Sequence, residues 1–422
     1  MSAQEEQPVA SREVDRYSMA DPAVQRCPLG YYAAMRREDP VHQDPGTGFW
    51  WVARHDTVAR AAMDATTFSS KSPLVVKKAL GPRARALWNA AGMEVLDTLV
   101  TGDPPEHEHY RAVGVSLFNQ KKVEELASAI ERRVNEILDA LGERTECDFV
   151  ADFACWLPSS IVCDEFGLPP QDRQRFKTWT DSVFGLMVPG ITEDEEVAHV
   201  ETLIELFRYL EGHIVRAQSE PSGRVIHALA TMPRKDGTAF SILERSWMAV
   251  ATFVGGNDTT IGMLAAGVAR LAKNPELQQL LRRDPGRMPN FVDELLRLES
   301  SVQSLMRVAT RDVEVDGTVI PRGSNVLLCT ASANRDEAHW PEPDAFKLDR
   351  PDARRHLGFG RGIHTCIGMH LARRELQIAF DVLLRRWHDI ELTIDDVDSE
   401  RVPLPFHRAY ARLPVRFRRA DA

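Results

Sequence analysis

Cys366 stands in the string Phe359-Gly360-Arg361-Gly362-Ile363-His364-Thr365-Cys366-Ile367-Gly368, a context that suits a metal-binding thiolate. Glycines at 360, 362 and 368 let the backbone curl past a flat ligand and take positive φ where the turn needs it. Downstream, Met369, Ala372, Leu376, Phe380, Leu383 and Trp387 recur at helical spacing, the stripe of an amphipathic helix. Cys366 is therefore expected at or near a helix N-terminus, where N–H groups and the macrodipole favour an anionic sulfur.

A second group, Gly255-Gly256-Asn257-Asp258-Thr259-Thr260, lies inside a long helical pattern ending near Leu271. Each glycine weakens a helix by about 1 kcal/mol relative to alanine, so something local must offset the pair. Missing Cβ atoms admit a ligand closely, and a neighbouring Thr can divert backbone hydrogen bonds and open a bulge. A carboxylate and a hydroxyl in sequence can form a water-linked proton path, which is general-acid work. Glu294 and Arg297 share one helix face, a pairing that on a surface contributes only about 0.2–0.5 kcal/mol.

The cysteine string resembles the haem-binding loop of cytochromes P450, Phe-Gly-x-Gly-x-His-x-Cys-x-Gly, at every defined position. That resemblance implies a mainly α fold with small β-sheets, one large domain around a buried haem, and Cys366 as the axial iron ligand. It also implies that Phe359, Gly368 and Gly255 border the cofactor. His107, Arg111, Arg307 and His364 match the donors that hold the haem propionates, and His109 has no such match. Asp258 and Thr259 match the acid and alcohol that deliver protons to oxygen. Glu294, Arg297 and Arg350 match a buried triad that supports the haem loop.

The implied cofactor is haem b, with O2 as co-substrate and a hydrophobic small molecule (fatty acid, terpenoid, steroid or aromatic) as substrate. No flavin or iron–sulfur motif is visible, so electrons are expected from separate proteins; the resemblance implies a ferredoxin and its reductase, with NAD(P)H used only indirectly. Arg361, Arg373 and Arg374 near the cysteine are candidates for a basic docking face. Two other readings of the same residues are a haem-based sensor, which does not need Asp258 and Thr259, and a zinc site of His364, Cys366 and His370. The zinc reading lacks a fourth ligand at plausible spacing.

The remaining sequence must position these residues. A formal charge of −10 argues against general affinity for nucleic acid or anionic lipid. The 6 cysteines form no CxxC pair and no disulfide framework. The first thirty residues contain no apolar run, so neither a signal peptide nor a membrane anchor is expected and a cytoplasmic location is; a monomer is expected as well. Residues 1–19 read as a flexible lead and 20–422 as the P450 domain. Helical spacing marks residues 107–118, 121–141, 195–218, 245–272, 274–282 and 289–299. Asp316-Gly317 between two β-rich runs predicts a hairpin. Apolar pocket walls are expected from residues 76–100, Phe184, Leu186, Met187, Val188, Ala251, Val254, Val302 to Leu305 and Leu404 to Phe406.

Overall fold

In the computed structural model, residues 12–71, 80–188, 190–220 and 223–420 are described; residues 76–79 of the expected pocket wall lie outside them. The central element is the helix Ile242–Ala272, opened by a capping box in which Ser241 and Glu244 satisfy each other's backbone N–H groups. Buried residues occur on nearly every side of it, as expected for a helix that crosses a protein interior. It packs against Trp156–Phe166, Glu193–Ala217 and Met369–Arg386. A Cβ on Gly267 would lie 2.1 Å from the Phe380 ring, so glycine is what lets the central helix and Met369–Arg386 approach so closely.

The expected helices are present within a few residues, although 121–141 divides into Gln120–Glu125 and Ala127–Ala140. Trp387 leaves the helical stripe and opens the strand Trp387–Leu392. A five-stranded sheet runs Val41–Gln43, Trp50–Val52, Asn325–Leu328, Leu305–Ala309 and Phe68–Ser69. Its one parallel pairing sets Trp50 beside Val326, and Leu305 lies opposite Leu328. Pro414–Arg419 is the middle strand of a three-stranded sheet, between Glu146–Asp148 and Trp387–Leu392. Asp316 and Gly317 take positive φ and join Val313–Val315 to Thr318–Ile320 in the expected hairpin.

The lead expected over 1–19 is only partly described, and its described part is packed. Val14 and Met19 are buried in a cluster with Tyr31, Tyr32 and Trp51, so the packed fold begins before residue 20. No helix among the described residues is long and apolar enough to cross a membrane.

Candidate active site

The cysteine loop is built by backbone geometry. Gly360 and Gly362 have φ of 69° and 78°, in the left-handed region, and a Cβ on Gly362 would meet the Ala62 carbonyl at 2.6 Å. Gly368 differs from expectation: its φ is −84° and it caps Met369–Arg386. The Cys366 amide donates to the Phe359 carbonyl at 2.8 Å and closes the loop. Protein surrounds the Cys366 sulfur on most sides, yet the side chain remains accessible, as for an atom lining an internal hollow. Burial raises its thiol pKa, against the Gly368 N–H, Arg111 and Arg373, which favour the anion.

Four groups predicted to act together do meet. The His107 and His364 rings lie 4.2 Å apart, on the helix Glu106–Leu117 and in the cysteine loop. Burial, and then the neighbouring His107, Arg307 and Arg111, push His364 down to about 3, and burial and Arg111 lower His107 as well. Burial lowers Arg307 to about 10, with Asp103 as its opposing acid. Arg111 is lowered by burial, and the Cys366 charge acts on it in the opposite sense. The Nε2 atoms of His107 and His364 and Nη2 of Arg307 are buried without a protein partner. This corner is cationic, desolvated and short of acceptors.

On the central helix, accessibility returns along Ala251, Thr252, Gly255, Gly256 and Thr259, one stripe on an otherwise buried rod. The helix is continuous there, and the expected bulge is absent. Thr259 instead donates its hydroxyl to the Gly255 carbonyl at 3.0 Å, leaving its backbone ladder intact. Asp258, the next residue round the helix, points elsewhere. It is buried and accepts from the Thr180 hydroxyl at 3.2 Å, on the helix Arg173–Gly185. Burial pushes its pKa up to about 6, with Lys177 lowering it and Asp181 raising it. Lys177 and Asp181 are themselves paired.

The two motifs are tied through one short segment. Ser301 donates to the Thr259 carbonyl at 2.7 Å, and the Leu305 side chain approaches Gly360. Leu305 lies four positions after Ser301, at most about 14 Å of chain. Thr180, Lys177, Asp181 and Ser301 were not singled out from the sequence, because nothing in their spacing sets them apart from ordinary helix or loop residues.

The supporting triad is present. Arg297 makes two bonds to Glu294 at 2.8 Å, and Arg350 Nε approaches Glu294 at 2.9 Å, all with buried side chains. Of the proposed docking cations, Arg373 is turned inward to Asp293 at 2.7 Å and lies over the Phe359 ring, whereas Arg361 is exposed. Among the described residues, His364, Cys366 and His370 do not converge as a metal cluster.

The family model described as Cytochrome P450 matches residues 162–401. The chain is 32% identical over 396 residues to "Cytochrome P450 109" of Bacillus spizizenii, covering 92% of this chain and 91% of that protein. It is 33% identical over 389 residues to the "20-oxo-5-O-mycaminosyltylactone 23-monooxygenase" of Streptomyces fradiae, covering 90% and 88%. The solved structure of cytochrome P450 CYP109Q5 from Chondromyces apiculatus superimposes with a TM-score of 0.85 at 29% identity, covering 96% and 99%. Loop, central helix and buried triad together with these likenesses lead to one conclusion: the chain belongs to the cytochrome P450 family and is a monooxygenase that incorporates oxygen from O2.

Proposed function

We propose that this chain binds haem b through the Cys366 thiolate and hydroxylates a hydrophobic small molecule, with two electrons supplied by a ferredoxin-type partner. The observation that carries this reading is the cationic corner. A buried donor without an acceptor costs about 1–3 kcal/mol, and several in one place call for an anionic ligand. His107, Arg111, Arg307 and His364 suit the two carboxylates of a porphyrin edge. A carboxylate there would reverse the downward shift of the imidazoles, protonate them and use their nitrogens as donors.

Cys366 would supply the sulfur ligand to the iron, giving up the thiol proton that burial otherwise retains. Phe359 closes the loop through its carbonyl, and the Gly368 N–H steadies the sulfur's charge. Bound in this way, haem supplies the electron-transfer and O2 chemistry that C–H hydroxylation requires. The protein's own residues do the rest. Gly255 carries no side chain and leaves room at the accessible stripe. With its proton committed to the Gly255 carbonyl, Thr259 keeps oxygen lone pairs with which to hold water. Asp258, its pKa raised to about 6 and so within reach of both protonation states, is suited to pass protons inward from the side of Lys177 and Asp181.

Phe184, Met187, Val188, Leu404 and Phe406 are only half-buried and apolar, which supports a hydrophobic substrate in a water-poor cavity. The test of the cofactor assignment is Cys366→Ser. Purified wild-type protein, reduced and treated with carbon monoxide, should show a thiolate-type Soret band that is lost in the variant. An identical band in both proteins overturns the assignment. A screen of lipids, terpenes, steroids and aromatics for a low-spin to high-spin shift then selects the substrate class.

A further inference from the structure

Asp258 is held by a chain of hydrogen bonds that crosses three helices. The Ser159 hydroxyl, on Trp156–Phe166, lies 2.9 Å from Asn257 Oδ1 and 2.6 Å from the Cys155 carbonyl. Asn257 Nδ2 points to Thr180 Oγ1 at 3.4 Å. Thr180 Oγ1 lies 3.2 Å from two acceptors, Asp258 Oδ1 and the Lys177 carbonyl. Thr180 is fully buried and Asn257 almost so. A hydroxyl carries one proton and accepts through two lone pairs, so this placement offers Thr180 a choice of partner.

We infer that Thr180 is a positioning residue for proton delivery, its hydroxyl serving the Asp258 carboxyl in both protonation states. The inference rests on the reading of Asp258 as a proton relay. When Asp258 is charged, Thr180 donates to it. When Asp258 is protonated, the acid O–H donates to Thr180 Oγ1 and the threonine proton turns to the Lys177 carbonyl. Asn257 holds the remaining lone pair and keeps Oγ1 in place. Neither state leaves a buried polar group unsatisfied, and no heavy atom has to move between them.

The ionisable groups around Asp258 fit this role. Lys177 and Asp181 face it from Arg173–Gly185 and act on its pKa in opposite directions. Cys155, at the start of Trp156–Phe166, is held protonated by burial and adds no charge near neutrality. His407, near Lys177, is pushed down to about 4 by burial and then by that lysine, so it is neutral as well. Charge alone therefore provides no partner for the protonated form of Asp258, whereas the Thr180 hydroxyl does.

The test compares Thr180→Val and Thr180→Ala, which remove the hydroxyl, with Thr180→Ser, which keeps it. The carboxyl C=O stretch of protonated Asp258, identified by its loss in Asp258→Asn, is titrated by infrared spectroscopy. Removing the hydroxyl costs a bond in both states, but the charge-assisted bond to the anion is the stronger, so the midpoint should rise in Val and Ala by the difference, about half to one pH unit. Product formed per NAD(P)H consumed should fall about 3- to 10-fold, a loss of one such bond's free energy. The substrate-induced spin shift should remain, showing an intact fold and cofactor. Thr180→Ser should recover most of both effects. An unmoved midpoint in Val and Ala, or Ser as impaired as Val, overturns the inference. Full coupling in Asp258→Asn overturns the relay reading itself, and the inference with it.

Discussion

At the scale of single residues, burial is the largest cause acting on Cys366, His364, Arg307 and Asp258, and it governs a carboxyl outside the site as well. Glu375, on Met369–Arg386, is 2% exposed with one carboxyl oxygen unpartnered, and burial, then Glu165, raises its pKa to about 8. A raised carboxyl pKa means that the folded state binds a proton the unfolded state releases near its ordinary value of 4.5. Stability from this group is therefore complete at low pH and declines as pH rises through the window up to about 8. Glu375→Gln removes that slope. Melting temperatures across the window should fall with pH more gently in the variant than in wild type, and equal slopes would show that Glu375 does not carry the effect. Cys366 shows how far a single residue could be read from sequence. Its neighbours specify the turn and hydrogen bonds of a ligand loop, but the direction of its thiol shift depends on surrounding atoms from distant segments.

At the scale of elements, the triad joins the helix Met288–Glu299 to the segment that precedes the cysteine loop. Glu294 faces two guanidiniums, Arg297 and Arg350, all in a dry interior. Removing one partner of a buried ion pair costs about 3–5 kcal/mol, because the other charge stays buried. Glu294→Gln should therefore lower stability by about that amount, visible as a lower melting temperature and poor haem retention. Variants of exposed pairs such as Arg418 with Asp389 should change little, about 0–1 kcal/mol. Most helices were legible from apolar spacing, and the hairpin from Asp316-Gly317, because both signals are local. Asn325–Leu328 and Pro414–Arg419 were not, since a short strand is defined by partners far along the chain. The same holds within the site. Asp258 could be named from its motif, but Thr180, 78 residues away, becomes its partner only through packing. The missing bulge has a similar cause, since the Thr259 hydroxyl joins the Gly255 carbonyl without breaking the ladder.

At the scale of the whole molecule, a haem seated against His107, Arg111, Arg307 and His364 would neutralise the buried cations of that corner and so add to the stability of the core around it. Adding haemin to haem-free protein should raise the melting temperature by several degrees, because a ligand that binds only the folded state stabilises it. Arg307→Met, which removes one buried cation from the corner, should weaken haemin binding about 10- to 100-fold in a spectral titration, as expected for a charge-assisted bond of about 1.5–3 kcal/mol. An unchanged melting curve, or an unchanged titration, would contradict this account. The clustering of His107, Arg111, Arg307 and His364 has a further consequence for biogenesis. The Arg111 and Arg307 guanidiniums, buried with few acceptors, oppose their own assembly, so this corner should close late, once a porphyrin is available to neutralise them. In a culture starved of iron or of haem precursors, newly made chains should then accumulate as protease-sensitive intermediates, and feeding a precursor should increase the amount of surviving protein as well as its colour.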